Sequence, residues 1–257
     1  MLSDYGGGLE ITDEFASAFV RRGGSIVQEI HPPLGTTDFG PYLAGLNKTA
    51  DVLVEFSPGT DGLRFGEQYQ NYIGNRKLPV EVIASVVTRG ANLAGLKDKA
   101  IGLVNSDIYT QALDTPANKR FLQLFKAKYP NSVPSVDHVG GYVGAQVLQA
   151  AVEKVHGNIE QTQQFLDALY ATNLDTAKGP LKLDKYHDAL ENGYIYEMVK
   201  QDGGVGVGEK LLQTYPNLTQ FGDLTEQESL RFPWGTLKGQ WVGMTKEKLA
   251  TVAKQPG

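Results

Sequence analysis

The chain has 257 residues, 41% of them apolar and 21% charged, with both signs mixed and a formal net charge of -5. That composition describes a globular protein long enough to bury a sizeable core. Its scattered, outnumbered Lys and Arg exclude the electrostatic footprint of a nucleic-acid binder. No window approaches the roughly 20 apolar residues of a bilayer-spanning helix. The absence of cysteine excludes disulfides, thiolate metal ligands and a thiol nucleophile.

Helix and strand patterns alternate over the first 105 or so residues. In Leu9–Arg22, the residues Ile11, Phe15, Ala18 and Phe19 recur at helical spacing, and Gly23-Gly24 end the run. Ser25–Ile30 reads as a short strand closed by His31-Pro32-Pro33. Asp38 is placed to cap a helix over Phe39–Asn47. Val52–Phe56 is a nearly continuous apolar run, as expected of a strand covered on both faces. A helix over Gly62–Ile73 follows, then a β-branched run at Val80–Val87 and a weaker strand at Ala100–Val104.

This alternation predicts an α/β fold of right-handed βαβ units with a doubly wound, mainly parallel sheet. Ligands of such sheets sit outside the carboxyl ends of the strands. Those ends are the turn at Asp4–Gly8, the loop Phe56–Asp61 and the stretch after Ala84, so the three are expected near one another.

After Asp107 the character changes to three helices, Asn118–Lys128, Val139–Val155 and Gln161–Ala171, with little strand between them. Tyr194–Gln201 reads as a strand, Gly203-Gly204 as a turn and Glu209–Thr214 as the partner strand. From Pro216 the periodicity fades into a tail carrying Phe232-Pro233-Trp234 and Trp241, expected to pack along the body as an irregular strap.

No catalytic constellation stands out. Gly6-Gly7-Gly8 lacks the spacing, preceding strand and lysine of a nucleotide loop, which leaves a strand-to-helix turn. His31, His138, His156 and His187 form no metal-ligand spacing, and no cofactor is expected. Ser3, Ser57, Ser85 and Ser106 lack a G-x-S-x-G elbow or a recognisable partner. Tyr5 and Phe56-Ser57-Pro58-Gly59-Thr60 place aromatic and small polar groups at strand ends, which suits a small-molecule cleft and equally suits loop packing.

Six stretches in register resemble the type I periplasmic solute-binding proteins of ABC transporters, in the branch serving branched-chain amino acids and related ligands. They are DYGGGLEITDEFASAFVRRGGSIV, PPLGTTDFGPYLAGL, ADVLVEFSPGTDGLRFGEQY, DTPANKRFLQLFKAKYP, GGYVGAQVLQAAVEK and GPLKLDKYHDALENGYIYEMVKQDGG. The resemblance covers residues 1 to about 215 and leaves the tail without a counterpart. It implies two α/β lobes closing on ligand, with one lobe near complete here and the other only partly present. Residues 1–107 and 190–215 correspond to the second lobe, 108–189 to the helical portion of the first, and 216–257 to the tail. The family's opening βαβ set, and any signal peptide, would lie outside this sequence. Residues 107–184 are therefore expected to be disordered, rearranged or covered by self-association.

The resemblance further implies a small-molecule ligand, a membrane permease of an ABC transporter as partner, a periplasmic location and no catalysis. Ligand-binding positions carried over are Tyr5, Phe56, Ser57, Pro58, Gly59, Asp61 and Ser85. Amino-acid-binding members place an acid in the loop after Val82, where this chain reads VIASVVT. A buried ammonium without a counter-charge is unfavourable. An apolar or aromatic carboxylate or an amide therefore suits this wall better, with Asp61 keeping an amino-acid-like ligand open. A ligand-sensing domain of a regulator or receptor is the alternative within the same fold, and an enzyme of unrecognised chemistry a third reading.

Overall fold

The computed structural model describes residues 1–75, 81–84 and 87–252. In chain order the elements are α1 (Gly6–Arg21), α2 (Gly40–Ala44), β1 (Val52–Glu55), α3 (Thr60–Asn75), β2 (Glu81–Ala84), α4 (Gly90–Leu96), β3 (Val104–Asp107) and α5 (Pro116–Lys128). There follow α6 (Val136–Lys154), α7 (Thr162–Tyr170), β4 (Asn173–Thr176), β5 (Gly179–Leu183), β6 (Ala189–Lys200), β7 (Val207–Leu218), α8 (Glu226–Arg231) and α9 (Lys246–Val252). Two compact units divide them: Met1–Thr88 with Asp223–Gly257, and Arg89–Gly222.

The first unit is built on parallel strands. β1 and β2 pair in parallel from Val52↔Glu81 to Glu55↔Ala84. Residues 1–4 continue this arrangement beside β1: Leu2 bridges Phe56 in parallel, the Phe56 amide donates to Met1 O at 3.1 Å and the Ser3 amide to Phe56 O at 3.0 Å. On their other side the Leu2 amide donates to Ile30 O and the Asp4 amide to Pro32 O, and Asp4 bridges Pro33 in parallel. The segment predicted as the strand Ser25–Ile30 is thus no strand and meets the sheet only at Ile30, and the pairing runs on through Pro32 and Pro33, which accept but have no N–H to donate. The predicted strand Val80–Val87 is shorter among the described residues, with Val87 and Thr88 already in a turn.

α1 buries a different face from the one its apolar spacing predicts. Gly8, Thr12, Asp13, Ala16, Ser17 and Val20 are buried, while Phe19 is 38% exposed. The reason is proximity: a Cβ on Gly8 would stand 1.9 Å from Ser3 O, so main chain approaches where only small residues fit. The displaced aromatics Phe15 and Phe19 stack on each other at 5.4 Å. α2 is shorter than predicted and is anchored by Phe39, Leu43, Phe65 and Tyr69, all buried, with Phe39 edge-on to Phe65 at 5.7 Å.

The tail expected to be irregular instead carries the end of β7 and the helices α8 and α9. Phe232, Leu237, Trp241 and Leu249 form one apolar cluster with Ala16 and Val20 of α1. α8 is held by a capping box in which Thr225 Oγ1 accepts from the Glu228 amide and Glu228 accepts from the Thr225 amide.

The second unit is antiparallel. Twelve-residue β6 pairs with β3, β5 and β7, and β4 pairs with β5. The mainly parallel character read from the sequence is therefore a property of the first unit's strands. β3 starts four residues later than predicted because Lys97–Ala100 form a 3-10 turn. The glycine run 203–208 is a hairpin, with Gly203, Gly204 and Gly206 at positive φ and Gln201 donating to Gly206 O. Residues 108–189 form α5, α6 and α7 with the β4–β5 hairpin, and Leu124 and Leu148 remain 47% and 52% exposed.

Candidate functional site

Because residues 1–4, 30–33 and β1 run parallel in register, their carboxyl ends emerge at one edge of the first unit. This edge carries Tyr5 and the Phe56–Asp61 loop, two of the three places expected to converge. The third, with Ser85, lies outside the described residues.

Tyr5 is half-buried in extended conformation at the N-cap of α1. Its ring lies over the first helical turn, 3.1 Å from where Cβ atoms on Gly7 and Gly8 would be. The N-cap residue Tyr5 makes no side-chain cap hydrogen bond, the first turn holds no acid, and among the described residues no other side chain caps α1. The first-turn amides of a helix have no intrahelical acceptor and carry a partial positive charge. This glycine turn is therefore a place where an anionic group is favoured.

Phe56 and Pro58 are half-buried beside this turn, Gly59 is exposed at φ 60°, and Ser57 is fully buried. The Asp61 amide donates to Pro58 O, closing the loop onto the start of α3. Asp61 itself is committed: its Oδ2 accepts from the Gly35 amide at 2.7 Å and its Oδ1 from Arg64 at 2.9 Å. Its carboxylate ties the 33–35 turn to α3 from a position only 5% exposed.

The sequence reading passed over Glu55, an acid inside the apolar run VLVEF. It is 1% exposed, and among the described residues neither carboxylate oxygen, nor Ser57 Oγ, completes a hydrogen bond of good geometry. Burial pushes the Glu55 carboxyl up to about 8, an effect reduced by the Ser57 hydroxyl and the Met1 ammonium and reinforced by Asp61. An acid that interrupts an otherwise apolar strand is the signal that could have found it. Also passed over were Asp13 and Glu29, whose partners lie more than 200 residues away in the tail.

The second unit has a hollow of about 590 Å³ lined by Phe121, Leu124, Phe125, Lys128 and Tyr142 among others. None of the predicted site residues borders it. His138 on its wall is committed to the Ser135 amide in the α6 capping box, and Lys128 extends over the Tyr129 ring at 5.5 Å. With these polar groups already engaged, the edge at Tyr5 is the better candidate. Among the described residues, no group of three or more His, Asp or Glu is placed to hold a metal ion.

Comparison with known proteins converges on one lineage. A family model described as periplasmic binding protein matches residues 1–204. A Leu/Ile/Val-binding protein homolog from Brucella melitensis is 26% identical over 220 residues, covering 84% of this chain and 56% of that protein. An ABC transporter substrate-binding protein from Sphaerobacter thermophilus superposes with a TM-score of 0.77 at 29% identity, covering 84% of this chain and 59% of its own. A solute-binding protein from Rhodopseudomonas palustris BisB5 in complex with 3,4-dihydroxybenzoic acid gives a TM-score of 0.75 at 27% identity, with 85% and 60% covered. The chain thus spans less than two thirds of the length of these relatives.

Proposed function

The chain belongs to the periplasmic binding protein family, and on that premise we propose that it binds a small apolar or aromatic carboxylate for an ABC transporter. The observation that carries this reading is the uncapped glycine turn of α1 beneath the Tyr5 ring. Amides without an acceptor suit a carboxylate, and an aromatic face beside them suits a ring.

The counter-charge favours this ligand class over an α-amino acid. Val82–Thr88 contains no acid, and both oxygens of Asp61 are engaged by Gly35 and Arg64. A ligand ammonium here would be desolvated without a partner. The Rhodopseudomonas relative, whose bound ligand is an aromatic acid, points the same way. In this reading the ligand bridges Tyr5 and a facing lobe and shifts an open–closed equilibrium, so that the closed form is presented to a permease in the periplasm. Binding, with no turnover, is the whole task.

Isothermal titration with 3,4-dihydroxybenzoate, benzamide and leucine tests the proposal. The aromatic acid is expected to bind more tightly than leucine, and Tyr5→Ala is expected to abolish its binding without lowering the melting midpoint. Tighter binding of leucine, no binding of the aromatic acid, or full binding by the Tyr5 variant would overturn it.

A further inference from the structure

The matched family model ends at residue 204, yet the strap beyond it is tied to α1, to the neighbouring extended segment and, through Asp4, to the edge that carries Tyr5. Its contacts fall on three acids: one in α1, one on the neighbouring extended segment and one immediately before Tyr5. Asp13, in the second turn of α1 and 1% exposed, accepts from Trp241 Nε1 at 2.6 Å and from the Leu237 amide at 3.3 Å. Glu29, on the neighbouring extended segment, accepts from the Gly239 amide at 2.7 Å and the Trp241 amide at 3.3 Å. Asp4, immediately before Tyr5, pairs with Lys238 Nζ at 2.7 Å.

These ties reach the strand ends themselves. The His31 ring bridges Glu29 Oε1 at 2.7 Å and Leu2 O at 3.0 Å, so the strap-bound carboxylate also holds the strand that leads into Tyr5. Gly235 sits at φ 75°, where a Cβ would come 3.2 Å from Glu10 of α1, so the strap crosses the helix at close range. Trp241 is fully buried, and its indole N–H is committed to Asp13.

We propose that residues 233–244 are a positioning clamp for the ligand-facing turn, with Trp241, Lys238 and Gly239 fixing α1 and strand residues 2–4 through Asp13, Asp4 and Glu29. The clamp is inferred from these contacts alone. Only the purpose of the turn rests on the ligand reading above. The clamp residues touch no ligand. They limit how far the Gly6–Gly8 amides and Tyr5 can shift relative to the Phe56–Asp61 loop, and such preorganisation strengthens binding by reducing what must be ordered when ligand arrives.

Hydrogen exchange read by mass spectrometry tests the clamp without any ligand. In Trp241→Phe, which keeps a ring and removes the N–H, exchange in residues 2–9 is expected to rise about tenfold, while residues 194–200 of β6 keep their rate. Asp13→Asn, which keeps an acceptor for Trp241 Nε1 but turns an NH2 donor toward the Leu237 amide, is expected to raise exchange in residues 2–9 as well. Lys238→Met, at a half-exposed position that does not open the core, is expected to raise exchange in residues 2–9 about threefold. Unchanged exchange in residues 2–9, or an equal rise in both units, would overturn the clamp. Titration of 3,4-dihydroxybenzoate separates the two ideas. Weaker binding by the clamp variants joins them, whereas no binding by the parent chain sinks the ligand reading and leaves the exchange result standing.

Discussion

Ser3 and Gly8 are in contact through main chain alone: the Ser3 carbonyl oxygen occupies the space, 1.9 Å away, that a Cβ on Gly8 would need. The two neighbouring glycines differ in what surrounds them. A Cβ on Gly7 would meet only the movable Tyr5 ring, and one on Gly6 would meet nothing within 4 Å. Gly8→Ala is therefore expected to force α1 off the strand end and destabilise the first unit by about 2–4 kcal/mol. Gly6→Ala, in open space within a helix, is expected to be neutral or to stabilise by roughly 0.5–1 kcal/mol. Urea unfolding of the two variants checks the contrast, and equal effects would show that the close approach is absent.

Glu55 gives the first unit a pH dependence of unusual sign. Its folded pKa of about 8 lies above the ordinary 4.5, so between these values the folded state holds more protons than the unfolded one. Stability from this group is complete below about pH 4.5 and is lost as pH rises through 8, at up to about 1.4 kcal/mol per pH unit. Comparing Glu55→Gln with the parent isolates the carboxyl. The variant is expected to match the parent near pH 5 and exceed it by on the order of a few kcal/mol at pH 8. A pH-independent difference would contradict the buried acid.

Asp61 and Tyr5 are expected to separate stability from binding. Asp61→Ala leaves the Gly35 amide and Arg64 without their acceptor and is expected to cost about 2 kcal/mol, with Asp61→Asn costing less. Tyr5→Ala should change stability little and aromatic-acid affinity strongly. Denaturant melts and titrations on both variants provide the check, and a large affinity loss in a stable Asp61→Asn protein would assign Asp61 a direct ligand contact instead.

In the second unit, Arg89 Nε donates to Asp107 Oδ2 at 2.7 Å, and the Asp107 side chain is only 3% exposed. Burial raises the Asp107 pKa, and Arg89 opposes that rise. Arg89→Leu should cost about 3 kcal/mol at neutral pH, because it strands a buried carboxylate. The deficit should shrink toward pH 4 as the carboxyl protonates, and thermal melts at pH 4 and pH 7 read the difference.

Much of this arrangement was legible in the sequence, and the failures have physical causes. Val52–Phe56 announced a strand, but not one covered on both faces, since Val52 is 38% exposed and Val54 only half-buried. Tyr5 and the Phe56–Asp61 loop announced a shared edge, because parallel strands fix where their ends emerge. Periodicity failed on α1, where large residues were expected inward. A main-chain contact at Gly8 and an indole at Asp13 select small and polar residues there, and no spacing rule encodes them. The roles of Asp13, Glu29 and Asp4 were invisible for a related reason: their partners are separated from them by 210 to 234 residues. The β4–β5 hairpin was missed because its strands have only four and five residues, bent around Ala177 and Lys178.

The separation of Asp13 from Trp241 by 228 residues also bears on how the chain is made. The whole of residues 89–222 is synthesised between the two halves of the first unit's core. A chain delivered amino end first can complete β6 and β7 while Ala16 and Val20 still lack Trp241 and Leu249. Closing so long a loop adds only a modest entropic cost but delays the closing contact until its far end exists. Until then Ala16 and Val20 lack their apolar neighbours, which makes the first unit the later of the two to complete its core.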